Sequence, residues 1–230
     1  METYKKTFRT GETKPNAQEL FMMLQKVSGE HCDLLGYGME VIGPQKLIWV
    51  VVRQKLEILR HPEANEDLHF ETWPGPTRHG LFPRHYEIYD AKGELIAFAA
   101  ALWTLVDMES RKMIKPEEYG IDLKGLTTGR EKGNPKAPAK LDITNEFDFV
   151  VPEGYLDSNG HMNNTCYYHM AEEYIASAIE GKSLRFAATE YANEALLGDK
   201  LKISLGSEGD KYYISGETET PIFKMQLEYL

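Results

Sequence analysis

Apolar residues recur at helical spacing in two places along the chain. Each place is followed by short β-branched or aromatic runs set apart by turn residues. Near the start, Leu20, Met23, Leu24 and Val27 fall on one face of a helix. Asn16-Ala17-Gln18-Glu19 just ahead of them reads as an N-cap with a glutamate three residues on. The spacing predicts a helix to about Leu35, with Gly36 beyond it as a stop. A strand is expected before this helix, from Tyr4 to Thr10. After the Gly43-Pro44 break, Leu47 to Val52 is too β-branched for a comfortable helix and predicts another. Further strands are expected at Leu68–Trp73, Arg84–Tyr89 and Glu94–Val106, separated by Pro74-Gly75-Pro76 and Asp90-Ala91-Lys92-Gly93.

The second half repeats that order. A strand over Glu146–Val151 precedes a helix from about Asn164 to Glu180, whose apolar face carries Tyr167, Met170, Ala171, Tyr174, Ile175 and Ala178. Gly181 ends it, and strands follow at Leu184–Asn193, Lys200–Gly206, Lys211–Glu217 and Ile222–Tyr229. Each half is thus a strand, a long helix and several antiparallel strands, an α+β organisation in which a sheet can wrap a helix. Two such units side by side can extend one sheet and hide exposed edges. The boundaries expected are 1–118 for the first unit, 119–140 for a connecting segment and 141–230 for the second. Residues 111–140 hold eight Lys and Arg against four Asp and Glu and turn rich in Gly and Pro after Gly125. They read as an exposed basic linker.

Composition narrows the classes. The 230 residues are 42% hydrophobic and 27% charged, ordinary for a globular protein, and carry a net charge of −10. That balance makes phosphate-backbone binding a poor expectation. No apolar run is long enough to span a membrane, and METYKKTFRT lacks a signal peptide's apolar core, so a cytoplasmic location is expected. Cys32 and Cys166 stand far apart and form no disulfide framework.

Against this background the stretch DSNGHMNN, residues 157–164, is unusual. In extended backbone Asp157, Asn159, His161 and Asn163 would share one face. Ser158-Asn159-Gly160 is equally good turn chemistry. The spacing is also like that of a calcium loop, but Met162 and Tyr168 stand where such a loop needs Gly and Glu, so no metal is expected.

Asp157-x-Asn159-x-His161-x-Asn163-Asn164, followed by a helix, resembles the central motif of the acyl-acyl carrier protein (acyl-ACP) thioesterases. Trp49-Val50-Val51-Val52-Arg53, Glu71-Thr72-Trp73-Pro74, Arg84, Asp90-x-x-Gly93 and Trp103 are similar to that family's first half, so the likeness covers essentially the whole chain. It implies a tandem (double) hot-dog fold, each unit a long helix wrapped by a curved antiparallel sheet. The implied reaction is hydrolysis of fatty acyl-ACP to free fatty acid, without a cofactor. By position, Asp157, Asn159 and His161 match the family's catalytic residues. Glu194, within Glu190-Tyr-Ala-Asn-Glu194-Ala195, matches its catalytic carboxylate. Plant members usually carry a cysteine where this chain has Ala195, so a thiol there cannot be required if the protein is active.

Thioester hydrolysis needs an activated nucleophile, a site for the oxyanion and an apolar slot. Glu194 and His161 suit water activation and proton transfer to the thiol, with burial beside acyl carbons expected to raise the pKa of Glu194. Asn159 would orient the water or thioester, and Asp157 would hold the loop. The amides at the start of the second helix, near Asn163 to Thr165, are expected to receive oxyanion charge, with Asn163 and Asn164 binding substrate. A covalent route through a carboxylate stays open. The first unit enters its helix through Lys14-Pro15-Asn16 and has no such motif, so one site is expected, with chain selection in the first unit by Met22, Met23, Trp49 and Val51. Arg111, Lys112 and Lys115 are expected to dock the acidic carrier protein. An acyl-CoA thioesterase and a non-catalytic acyl-binding sensor are the alternatives, and a homodimer is left open.

Overall fold

Helix α1 (Ala17–Leu34) begins at the capping box read from the sequence: Asn16 Oδ1 accepts from the Glu19 amide, and Glu19 Oε2 accepts from the Asn16 amide, each at 2.9 Å. In the computed structural model, which describes residues 2–230, α1 buries Ala17, Leu20, Phe21, Leu24, Val27, Ser28 and His31 along one stripe. Met22 lies off that stripe and is 53% exposed. A short turn of helix, α2 (Met39–Ile42), precedes the first long strand. Helix α3 (Cys166–Ile179) starts two residues later than the pattern predicts. Asn163 Oδ1 accepts from the Thr165 amide and hydroxyl, both at 2.9 Å, which keeps 163–165 in a turn ahead of the helix.

The strands are β1 (Tyr4–Arg9), β2 (Leu47–Ile58), β3 (Asp67–Pro74), β4 (Leu81–Tyr89) and β5 (Leu95–Asp107) in the first half. In the second they are β6 (Ile143–Val150), β7 (Leu184–Tyr191), β8 (Lys200–Glu208), β9 (Lys211–Glu217) and β10 (Pro221–Tyr229). All pair antiparallel in one ten-stranded sheet, ordered β1-β3-β4-β5-β2-β7-β10-β9-β8-β6. The order mirrors itself about β2 and β7: two tandem hot-dog units share a single sheet. Pairing hides the inner edges only, because β1 and β6 remain as outer edges. Strand β2 outlasts the apolar run expected at 47–52, since Arg53, Gln54 and Lys55 continue it into the junction with β7.

At that junction both units contribute to one core. Tyr168 of α3 is fully buried and stacks on Phe21 of α1, with ring centres 4.0 Å apart. Its hydroxyl accepts from Gln54 Nε2 of β2 at 3.2 Å and from Thr189 Oγ1 of β7 at 2.7 Å. Gln54 and Thr189 face each other in the β2–β7 register. Gln54 Nε2 also donates to the Tyr191 hydroxyl at 2.9 Å, and that hydroxyl donates to the Asn164 carbonyl at 2.7 Å. Gln54, Thr189, Tyr168 and Tyr191 are thus joined in one hydrogen-bond network across the seam, and the chain ahead of α3 is tied to it. Arg53 Nε in the same β2–β7 pairing stays without a partner.

The connection between the units is not the freely solvated linker its composition suggests. Ile121 and Leu123 are buried against Ile42, Leu47, Phe82 and Leu105. Gly125 passes so close to Gly75 that any Cβ there would collide with backbone. The Leu126 amide donates to the Pro74 carbonyl at 2.7 Å. Arg130 bridges Glu71 and Glu87 and lies 4.6 Å over the Trp73 ring. Lys55 Nζ reaches the Lys132 carbonyl, and the Ala139 amide reaches Gln226 Oε1. Strand neighbours of these anchors, such as Phe70, Tyr86 and Met225, face the helices. By alternation the connection is a strap over the opposite face of the sheet.

Candidate active site

The DSNGHMNN stretch folds as a turn rather than an extended row. The Asp157 amide donates to the His161 carbonyl at 2.8 Å and the Gly160 amide to the Asp157 carbonyl at 3.1 Å, with Gly160 at φ 79°. Asp157 Oδ1 closes the turn from inside, accepting from the amides of Asn159 at 2.8 Å and His161 at 3.2 Å. A shared face of extended backbone is thus overturned as the reason for the pattern. Asp157, Asn159 and His161 still line one cleft, because the turn curls them around it. The Met162 amide donates to the Ala195 carbonyl at 2.8 Å, and His161 bridges Leu196, so the turn is strapped to the loop that carries Glu194. That pairing sets His161 Nε2 3.5 Å from Glu194 Oε2.

Arg111 completes the group. It follows β5 in a turn closed by its own amide to the Asp107 carbonyl at 2.9 Å, and it sits at φ 58°, a conformation uncommon for a side chain of this kind. Its guanidinium pairs with Glu194 and donates to His161 Nε2 at 3.2 Å. Burial pushes the His161 pKa down, the Arg111 charge pushes the same way and Asp157 opposes both. The ring is neutral at neutral pH and able to accept a proton. Glu194 is 40% exposed, so the burial expected of it is absent and a cation stands beside it instead.

This cleft, about 350 Å³, also has Trp49, Val51, Asn164, Tyr167 and Tyr191 in its walls. It adjoins a cavity of about 390 Å³ in the first unit, sharing Gln25, Ile48, Trp49, Trp103 and Asn159 with it. Trp49, Val51 and Asn164 are therefore placed at the site. Met22 is not, because it points to solvent, nor is Met23, which packs against the core away from both spaces. The Asn163 side chain is spent on the turn ahead of α3, and its amide donates to the Tyr155 carbonyl at 2.8 Å. The amides of Thr165 and Cys166 are likewise taken, by Asn163 Oδ1 and the Asn163 carbonyl. Of the amides expected to receive oxyanion charge, those of Asn163 and Thr165 are therefore taken, whereas Asn164 lines the cleft with its amide in none of these bonds. Arg111 faces the cleft and is not free to serve as a docking charge, whereas Lys112 and Lys115 are exposed and Lys115 pairs with Glu118 at 3.2 Å. Among the described residues no group of three His, Cys, Asp or Glu side chains is set to hold a metal. Among the same residues no helix is long and apolar enough to cross a membrane.

Fold and site together define a double hot-dog protein with one polar centre, built on its second unit and completed by an arginine from its first. The chain matches the acyl-ACP thioesterase N-terminal domain over residues 3–120 and the C-terminal domain over residues 139–227. It belongs to the acyl-ACP thioesterase family. An acyl-[acyl-carrier-protein] hydrolase of Cuphea viscosissima is 27% identical over 218 residues, covering 84% of this chain and 52% of the plant protein. An oleoyl-acyl carrier protein thioesterase of Coriandrum sativum is 24% identical, covering 68% of this chain and 48% of its own. The chain thus spans about half the length of these chloroplastic relatives. The fold is shared with an acyl-ACP thioesterase from Bacteroides thetaiotaomicron (TM-score 0.82, 17% identity, 99% of this chain and 98% of that one). It is shared equally with a 12:0-ACP thioesterase from Umbellularia californica (TM-score 0.78, 19% identity, 99% and 97%).

Proposed function

We propose that the protein hydrolyses the thioester of a fatty acyl group on acyl carrier protein, releasing free fatty acid and ending chain growth. The observation that carries this reading is the meeting of His161 and Glu194, 3.5 Å apart, in a cleft that adjoins an aromatic-lined cavity. A water beside them loses a proton to this pair and attacks the thioester carbonyl carbon. The tetrahedral oxyanion forms next to the Arg111 guanidinium, the cation of the site. Collapse breaks the C–S bond, and the proton passes to the departing thiolate. Asn159, on the cleft wall, orients the water or the carbonyl, while Asp157 holds the turn. In this scheme the second unit performs the chemistry and the first unit takes the acyl chain past Trp49 and Val51. A cytoplasmic location is part of the same reading.

Carrier docking falls to Lys112 and Lys115, beside the arginine. Reversing both to Glu is expected to raise KM several-fold for acyl-ACP, more at low salt, and to spare acyl-pantetheine. Free acid released from matched acyl-ACP and acyl-CoA panels tests the function itself. Turnover of acyl-CoA alone would replace the carrier by a nucleotide thioester, and binding without turnover would make the protein a sensor.

Arg111→Met offers a second check. It removes one of the causes that lower the His161 pKa, so that pKa should rise toward the ordinary histidine value. The acidic limb of the kcat/KM profile, which follows loss of neutral His161, should then move to higher pH. An unmoved limb would take His161 out of proton transfer.

A further inference from the structure

Helix α1 holds the only glycine within the two long helices, Gly29, five residues before its end. A glycine inside a helix weakens it relative to alanine, because its backbone has more freedom to lose. None of the usual reasons for one applies here. Its φ is not positive, unlike that of Gly36, which lies beyond the helix at φ 78°. It does not cap the helix, whose C-cap is Leu35. Nothing crowds it either: a Cβ added at Gly29 would meet no atom within 4 Å. Local structure alone would favour alanine.

The space beside Gly29 belongs to the cavity of the first unit, which Gln25, Cys32 and Asp33 of the same helix also line. Residues four apart stand one above the other on a helix, so Gln25, Gly29 and Asp33 form a row along that wall. Gln25 lines the cleft of His161 as well. A chain that leaves the cleft past Gln25 therefore reaches Gly29 one turn on, about 6 Å along the axis. Trp49, Phe82, Trp103 and Leu123 give the same cavity an apolar wall suited to hydrocarbon. The neighbouring Ser28 is held out of the way, since its hydroxyl donates to the Leu24 carbonyl and accepts from Tyr86, each at 2.6 Å. We infer that position 29 determines specificity: the absent side chain leaves room for the outer methylenes of a fatty acyl chain, and the size of the residue there sets the longest chain accepted. This inference rests on the proposed function only in placing the thioester beside His161 and Glu194 and the chain in the first unit.

The test uses non-hydrolysable acyl-pantetheine amides of increasing chain length, with binding followed by the fluorescence of Trp49 and Trp103. On the unaltered protein affinity should rise about fourfold per buried methylene until the chain outgrows the cavity. In Gly29→Leu that rise should stop at a shorter chain, so that the longest ligands bind about tenfold or more weaker while the shortest bind as before. Gly29→Ala should move the limit less, and should raise Tm by about 2–4 °C, the gain from replacing a glycine inside a helix. That variant decides if the leucine variant does not fold. An unmoved limit in the folded variants would overturn the inference, as would an equal loss at every length, which would put residue 29 at the entrance. A lower Tm for Gly29→Ala would overturn it too, because the helix would then need the glycine for its own backbone. The matching thioesters separate the two proposals: no thiol release from any of them, with the limit still following residue 29, counts against hydrolysis and leaves this assignment standing.

Discussion

Replacing either His161 or Glu194 with alanine is expected to lower the rate of thioester hydrolysis by about 10²–10⁴-fold, with little change in melting temperature. The size follows from asking one group to carry a proton that water would otherwise handle unaided. The stability expectation follows from where the turn gets its rigidity. It is held by the Asp157 carboxylate and by backbone bonds to Ala195, none of which uses the imidazole. Glu194 is 40% exposed, so its removal opens no cavity. The double variant should be no slower than the worse single one, because the two act as a unit through the Arg111 they share. Cys166→Ala is the control. Its thiol is buried, with its pKa raised by that burial, and does not line the cleft. Near-normal turnover in a folded His161 or Glu194 variant would remove that residue from the chemistry. Lost turnover in folded Cys166→Ala would bring a thiol into it.

Tyr168→Ala should cost roughly 3–5 kcal/mol of stability, the range for truncating a large buried aromatic residue. The ring is fully buried against Phe21, so one deletion breaks the contact between α1 and α3. Tyr168→Phe isolates the polar part. It keeps the stack but leaves Thr189 Oγ1 without its acceptor and costs Gln54 Nε2 one of its two, the Tyr191 hydroxyl remaining, at roughly 1–3 kcal/mol. Denaturant unfolding measures both, and a single transition with an unchanged slope would show that the two units melt together. A loss below about 1 kcal/mol for the alanine variant would mean that the seam is held elsewhere.

The elements that local chemistry decides were legible before the structure. The Asn16–Glu19 capping box, the α1 stripe and all ten strands lie where periodicity and turn residues put them, within about three residues at their ends except for β2, which runs on from the expected Val52 to Ile58. What failed depended on contacts distant in sequence. Nothing around Arg53-Gln54-Lys55 says that this polar run continues a strand, because the reason is β7, more than a hundred positions away. The strap read as solvated because its anchors, Trp73, Glu71 and Glu87, belong to other strands. Arg111 looked like one more surface cation of a basic segment, and only the turn after β5 aims it at Glu194. Asp157, Asn159 and His161 follow from the likeness to the family motif and line the cleft together, and of the two conformations their spacing allows they adopt the turn and not the extended row.

The strap between Asp107 and Ile143 also sets how the two lobes find each other. Separate chains would have to meet by diffusion, and their pairing would fade on dilution. One chain presents each lobe to the other at an effective concentration on the order of millimolar, whatever the concentration of protein. The arrangement also breaks equivalence. Identical partners would have to carry the same catalytic turn and the same chain slot twice over, each compromising the other. Under the proposed function, the lobe entered through Lys14-Pro15-Asn16 is free of the catalytic turn, and its interior can change to suit a new acyl chain without disturbing His161 and Glu194.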